Sequence, residues 1–326
     1  MIKYNIGIQL TKNPEKYLRL ISDFKIKNNI EFHHIFNDDI LKLKFKDLDI
    51  LLTHQINEKL FSFSSKKLKW IHFGSAGVEN SLFPSLLKSK TIITNSSGIH
   101  ANSVSEFVMA RILYFAKQFN DCEKFYKNKE WNQWQIAKRM QNLNEKTIGI
   151  IGYGSIGKAI ASKAKTFGMR IIATRRLQKK IEHKKSVDYL IPLENLDFLL
   201  KESDYIIIAC PLTKMTNGMI GENEFKIMKK TSYIINIARG PIVDENFLIE
   251  NLKKYKIAGA ALDVFDEEPL PNNSELFQLD NVVLSPHISG NFPNYNDLVM
   301  NVFKENFLRF ENGKLLKNRV CKKRLY

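Results

Sequence analysis

Cysteine is scarce: Cys122, Cys210 and Cys321 are the only three in 326 residues. They are too few and too scattered for a disulfide framework or a C-x-x-C metal site, so no metal is expected. No uncharged apolar run reaches the roughly 18 residues that a membrane-crossing helix needs. The opening MIKYNIGIQL reads as a strand and lacks the apolar core and small-residue cleavage site of a secretory signal. A protein of the reducing cytoplasm is therefore expected. Internal repeats and low-complexity linkers are not visible. Acidic residues are outnumbered, 34 Asp and Glu against 50 Lys and Arg, for a formal charge of +16. The lysines run along the whole chain, as in Leu41-Lys42-Leu43-Lys44-Phe45-Lys46. Denser groups include Lys179-Lys180, Lys184-Lys185 and Lys322-Lys323-Arg324. That pattern is a solvated surface, which also draws small anionic substrates and phosphorylated cofactors. Neither a nucleic acid nor a membrane is an expected partner.

With 44% hydrophobic and 26% charged residues the composition is globular. At about 150 residues per domain the length suits two domains. Short apolar runs at Tyr4–Ile8, Ile50–Thr53, Trp70–Phe73 and Thr91–Thr94 alternate with polar stretches, which predicts an α/β fold with doubly wound parallel sheets. A long, nearly continuously apolar helix is expected over about Ser103 to Phe119, with Ser103 and Glu106 in a capping-box pattern. The polar stretch Cys122–Asn144 with Trp131 and Trp134 reads as a surface arm. Further strands are expected at Arg170–Thr174, Tyr205–Ala209, Tyr233–Ile237 and Ala258–Leu262.

The sharpest local pattern is Lys146–Ile151, an apolar strand, running into Gly152-Tyr153-Gly154-Ser155-Ile156-Gly157 and a small-residue helix over Lys158–Phe167. Between a strand and a helix, G-x-G-x-x-G gives a tight turn, a close backbone approach to a pyrophosphate, and a helix N-terminus aimed at the phosphates. An NAD site places a carboxylate about 20 residues on, for the ribose hydroxyls. Here the position holds Arg175 and then Arg176, with no acid before Glu182. Two guanidiniums suit a 2′-phosphate. NADP(H) is therefore the expected cofactor, with NAD(H) possible.

Three more segments follow apolar runs: Asn236–Gly240 with Arg239, Asp263–Pro271 with Glu268, and Ser285–Gly290 with His287. In an open parallel sheet the strand C-termini face one crevice. An Arg that holds a carboxylate, a His that donates a proton and a Glu that orients the His are a complete set for reducing a 2-oxo acid. Of the other histidines, His54 follows a strand and is either structural or reaches the cleft, His33, His34 and His183 are expected on the surface, and His72 and His100 are expected to be structural. Cys210 is expected to be a structural thiol.

These motifs, with Pro211-Leu212-Thr213 and Thr216, resemble the D-isomer-specific 2-hydroxyacid dehydrogenase family over nearly the whole chain. Arg239 and Glu268 lie 29 residues apart, and Glu268 and His287 lie 19 apart. The resemblance implies two Rossmann-like domains, a flavodoxin-like substrate domain (1–98 and 288–326) and a dinucleotide-binding domain (99–287), with the active site in the cleft. It implies catalysis by Arg239, Glu268 and His287. Ser75, Ala76 and Gly77 would bind the substrate carboxylate, the last two through backbone N–H groups. Cofactor contacts would fall on Gly152, Gly154, Ser155, Ile156, Gly157, Arg175, Arg176, Pro211, Thr216, Ile237, Ala238, Arg239, Asp263, His287 and Gly290. The implied assembly is a homodimer through the arm. The implied activity is NAD(P)H-dependent reduction of glyoxylate or hydroxypyruvate. Because the chain ends at Tyr326, no regulatory C-terminal extension is expected. Two other readings stay open: a cofactor-sensing corepressor or scaffold of the same fold, or a dehydrogenase with another donor such as phosphite.

Overall fold

The computed structural model describes residues 4–22, 24 and 30–323; Arg324 of the basic tail lies outside them. The chain divides into two compact units, Met1–Ile99 with Phe292–Tyr326, and His100–Asn291.

The first unit holds β1 (Tyr4–Gln9), β2 (Ile30–His34), β3 (Ile50–Thr53), β4 (Trp70–Phe73) and β5 (Ile92–Asn95) in the order β2-β1-β3-β4-β5. Every pairing is parallel. This is the flavodoxin-like order. The strands β3 and β4 are wholly buried, as continuous apolar runs in a parallel sheet should be. Helix Tyr295–Glu311 lays Phe303 and Phe307 on this sheet, with Phe303 stacked 5.0 Å from Trp70 and Phe307 edge-on 5.6 Å from Tyr4. The strand β2 overturns the surface reading of His33 and His34. Both are half-buried in it, His33 within 3.3 Å of the Asn5 side chain and His34 bonded to the Thr11 carbonyl and stacked on Tyr17.

The second unit holds β6 (Thr147–Ile151), β7 (Arg170–Thr174), β8 (Glu182–Lys184), β9 (Val187–Ile191), β10 (Tyr205–Ile208), β11 (Tyr233–Asn236), β12 (Gly259–Leu262) and β13 (Val282–Leu284). Their order is β13-β12-β11-β10-β6-β7-β9-β8. All pairings are parallel except β8 with β9. The chain starts at the middle strand β6, winds outward through β7 and β9, then returns to β10 on the other side of β6. That reversal makes the β6/β10 C-termini the switch point where ligands bind in such sheets.

The long helix spans Ala101–Ala116, two residues earlier at its start than the sequence suggests. Ser103 does not cap it. Its hydroxyl donates to the Ser289 carbonyl at 3.0 Å, and Glu106 accepts from Asn102 instead. The helix ends because Gln118 takes a left-handed φ of 55°. The arm then forms helices Phe119–Asn128 and Gln133–Ala137 with no buried residue in either. Residues 288–291 stay with the second unit rather than the first. Asp263 and Ser103 hold them there through the N–H groups of Ile288 and Ser289 and the Ser289 carbonyl.

Candidate active site

At the end of β6 the chain must turn sharply under β10. Gly152 does so at φ +111°, and a Cβ there would lie 2.7 Å from the Ala209 carbonyl oxygen. Only glycine fits. Gly154 differs, since a Cβ on it would meet no protein atom within 4 Å. It is the N-cap of helix Ser155–Thr166, and no side chain caps that helix end. The glycine loop therefore leaves open space in front of uncapped helix N–H groups. A pyrophosphate needs that arrangement, so these residues fit a bound dinucleotide. Beyond β7, Arg175 and Arg176 are both exposed.

After β10, the hydroxyl of Thr216 is spent on its own loop. It donates to the Pro211 carbonyl at 2.7 Å and accepts the Thr213 N–H at 2.8 Å. It shapes the Pro211–Thr216 turn. Burial pushes the Cys210 thiol up to about 12, so it is no thiolate at neutral pH. After β11, the Asn236 side chain folds the Ile237–Arg239 turn by accepting the Ala238 N–H and donating to the Arg239 carbonyl. The Arg239 guanidinium donates to the Ala238 carbonyl at 2.6 Å. Burial, and more weakly the Arg239 charge, hold His100 below the ordinary imidazole range. A carbonyl only accepts, so the His100 Nδ1 facing the Gly290 carbonyl at 3.0 Å carries the proton.

Glu268 and His287 meet. His287 Nδ1 lies 2.7 Å from Glu268 Oε2, while Glu268 Oε1 accepts the Phe265 N–H at 3.1 Å. The carboxylate thus fixes the tautomer: Nδ1 bears hydrogen and Nε2 is left for another partner. The His287 side chain is 48% exposed. A pair this open adds at most about 1 kcal/mol to stability, so folding alone does not account for it. The two residues also border a hollow of about 720 Å³ walled by Phe265, Pro269, Leu270, Phe277, Leu284 and Pro286.

Beneath His287 lies Asp263, 1% exposed. Its carboxylate accepts the Ser285 hydroxyl at 2.7 Å and the Ile288 and Ser289 N–H groups, both at 2.9 Å. His287 itself sits at φ 51°, a conformation that costs a side-chain-bearing residue about 1 kcal/mol or more. The Asp263 bonds clamp the chain on both sides of it. The family resemblance implied a cofactor contact at Asp263, and the sequence gave no sign of this clamp, whose members lie 22 to 26 residues apart.

In the first unit, Ser75, Ala76 and Gly77 follow β4 and are half-buried. Their N–H groups donate to no group among the described residues. His54 packs on the start of this loop, where a Cβ on Gly74 would lie 2.8 Å from its Nδ1. Burial lowers its pKa. His72 is wholly buried between Thr94 and Ser96 and is structural. Among the described residues no His/Cys/Asp/Glu cluster is arranged for a metal. Among the same residues, no helix is long and apolar enough to cross a membrane.

Comparison with known proteins agrees with the topology and the glycine loop. The profile of the D-isomer specific 2-hydroxyacid dehydrogenase NAD-binding domain matches residues 109–289. A glyoxylate reductase of Thermococcus onnurineus (strain NA1) is 34% identical over 93% of this chain and 92% of its own length. One from Pyrococcus furiosus is 36% identical over 93% and 91%. A crystal structure of a D-isomer specific 2-hydroxyacid dehydrogenase family protein from Aeromonas salmonicida has TM-score 0.84 at 26% identity, covering 98% of this chain and 99% of that one. With two doubly wound, largely parallel sheets, an open glycine loop at the switch point and these relatives, the chain belongs to the D-isomer specific 2-hydroxyacid dehydrogenase family.

Proposed function

We propose that this protein reduces a small 2-oxo acid, glyoxylate or hydroxypyruvate, to the D-2-hydroxy acid, with NADPH preferred over NADH. The observation that carries the reading is the His287–Glu268 pair, held at 2.7 Å on a clamped loop at the C-terminal end of β13. The glyoxylate reductases among its relatives support the substrate class.

A nicotinamide dinucleotide, when bound, supplies the hydride equivalent that the carbonyl carbon receives. The rest falls to the chain. The N–H groups of Ala76 and Gly77, with Ser75, bind the substrate carboxylate. Arg239 pairs with that carboxylate and polarises the carbonyl. His287 Nε2 gives its proton to the oxygen as negative charge builds there, so carbon gains hydride and oxygen gains a proton. Glu268 accepts from Nδ1 and stabilises the imidazolium that precedes the transfer. In the reverse direction the neutral imidazole takes the hydroxyl proton. Gly152, Gly154, Ser155, Ile156 and Gly157 receive the pyrophosphate. Pro211, Thr216, Ile237, Ala238 and Gly290 would line the rest of the dinucleotide's course, and the buried Asp263 would act on it only through the loop it clamps. Arg175 and Arg176 face the 2′-phosphate.

The arm supports a homodimer as the working form. It exposes Tyr126, Trp131 and Trp134, at 81%, 79% and 73%, more apolar surface than an isolated chain needs. Sedimentation should give twice the 37.9 kDa chain mass, and Trp131→Glu with Trp134→Glu should halve it. Cys122, Cys210 and Cys321 form no disulfide, which suits the reducing cytoplasm.

The test is turnover of a panel of 2-oxo acids with each cofactor. Reduction of glyoxylate or hydroxypyruvate, faster with NADPH, is expected. Turnover with bulkier 2-oxo acids alone would move the substrate. No turnover despite tight NADPH binding would favour the cofactor-sensing reading.

A further inference from the structure

The loop Gly74–Gly77 is built by side chains far from it in sequence. Three consecutive carbonyls are tethered. The Gly74 carbonyl accepts the Tyr295 hydroxyl at 2.8 Å, the Ser75 carbonyl accepts the Ser96 N–H at 3.1 Å, and the Ala76 carbonyl accepts the Asn95 Nδ2 at 2.7 Å. The cis peptide of the described chain is Glu268–Pro269, so these three peptides are trans. In a planar trans peptide the C=O and the following N–H point opposite ways. Each tether therefore turns one N–H away from its anchor: Ser75, Ala76 and Gly77 in turn. These are the N–H groups that find no partner among the described residues.

The anchors are themselves fixed. Asn95 ends β5, and its Oδ1 accepts the Ser97 N–H at 3.1 Å, which sets the amide so that Nδ2 faces Ala76. Tyr295 opens helix Tyr295–Glu311, and its ring lies 5.8 Å from His54, whose imidazole packs on Gly74. Burial pushes the Tyr295 phenol up to about 12, so it stays a donor throughout the neutral range.

We infer that Asn95 and Tyr295 are positioning residues for the substrate carboxylate. They hold the Ala76 and Gly74 carbonyls so that the Gly77 and Ser75 N–H groups stay turned toward the anion. The inference rests on the carboxylate-binding reading of this loop proposed above. A relaxed loop would bind the anion less well, and the chemistry at His287 would be untouched. The signature is a rise in KM and in inhibitor Kd with little change in kcat.

The experiment measures binding of oxamate, an unreactive analogue of glyoxylate, to the NADPH-loaded protein, alongside glyoxylate kinetics. Asn95→Ala and Tyr295→Phe should each raise the oxamate Kd and the glyoxylate KM about tenfold, with kcat within about twofold and NADPH affinity unchanged. Asn95→Asp should do worse than Asn95→Ala, because it sets a negative acceptor against the Ala76 carbonyl. Tyr295→Phe removes one oxygen and keeps the ring, which guards against a folding artefact in the Asn95 variants. Unchanged oxamate Kd and KM in Tyr295→Phe and Asn95→Ala would overturn the inference, as would a fall in kcat matching the rise in KM. If the unaltered protein reduces glyoxylate but binds no oxamate, the carboxylate reading of the loop fails, and the inference with it.

Discussion

Asp263 holds His287 without touching its ring: its buried carboxylate binds Ser285 two residues before it and Ile288 and Ser289 just after it. A half-exposed histidine at positive φ keeps one orientation because a buried anion spans its loop. Arg111 lies within electrostatic reach of that anion and offsets its charge. Asp263→Asn keeps the shape but turns one acceptor into a donor facing an N–H. Such a mismatch costs about 1–3 kcal/mol. The expected result is a lower melting temperature and a kcat reduced about 10- to 100-fold, with the KM for the 2-oxo acid little changed. Stopped-flow single turnovers and a thermal melt check it. A variant with full kcat would show that the clamp is dispensable.

The two glycines of the turn should respond oppositely to a methyl group. Gly152→Ala drives a Cβ into the Ala209 carbonyl at a φ that alanine avoids, so it should destabilise the fold by several kcal/mol. Gly154→Ala meets no protein atom. It should leave the melting temperature of the ligand-free protein unchanged and weaken NADPH binding at least tenfold, because the methyl group occupies the space in front of the helix N–H groups. Equal NADPH affinity in Gly154→Ala would place the pyrophosphate elsewhere.

Arg175 and Arg176 predict the direction of a cofactor switch. Arg175→Asp with Arg176→Ala removes two charge-assisted donors and adds a ribose acceptor. The ratio of kcat/KM for NADPH over NADH should fall at least about 100-fold. A ratio that does not move would show that neither guanidinium sets the cofactor preference.

His72 makes the first unit acid-sensitive. Burial depresses its pKa to about 3. An unfolded imidazole titrates near 6.5, so between those values the unfolded chain binds the extra proton. Stability is full above about pH 6.5 and is lost as pH falls toward 3, by up to about 1.4 kcal/mol per pH unit. Urea unfolding at about pH 7 and about pH 5 should show a larger loss in the unaltered protein than in His72→Phe. Equal losses would contradict it.

Much of this was legible in the sequence for physical reasons. Thr147–Ile151 followed by G-x-G-x-x-G can be little else, because a glycine at Gly152 and a bare helix start at Gly154 are what the turn and an anion demand. His287 and Glu268 stood out because each follows an apolar run that ends at one edge of a parallel sheet. Other features were hidden. Ile30–His34 has the polarity of a loop and is nevertheless β2, paired along the whole of its length with β1, with Asn5 and Thr11 receiving its histidines. Ser103 has the spacing of a helix cap, yet its hydroxyl goes to Ser289, 186 residues away. Tyr295 and Gly74 are 221 residues apart, and no local pattern announces their bond. Side chains that serve distant backbone are invisible to periodicity and spacing.

The central claim, that His287 is the proton donor of a 2-oxo acid reductase, is tested most directly by NADPH oxidation with glyoxylate or hydroxypyruvate in the unaltered protein and in His287→Gln. The unaltered protein should turn over, and the variant should lose about 1,000-fold in kcat while binding NADPH equally well. Near-normal turnover in the variant would contradict the role of His287.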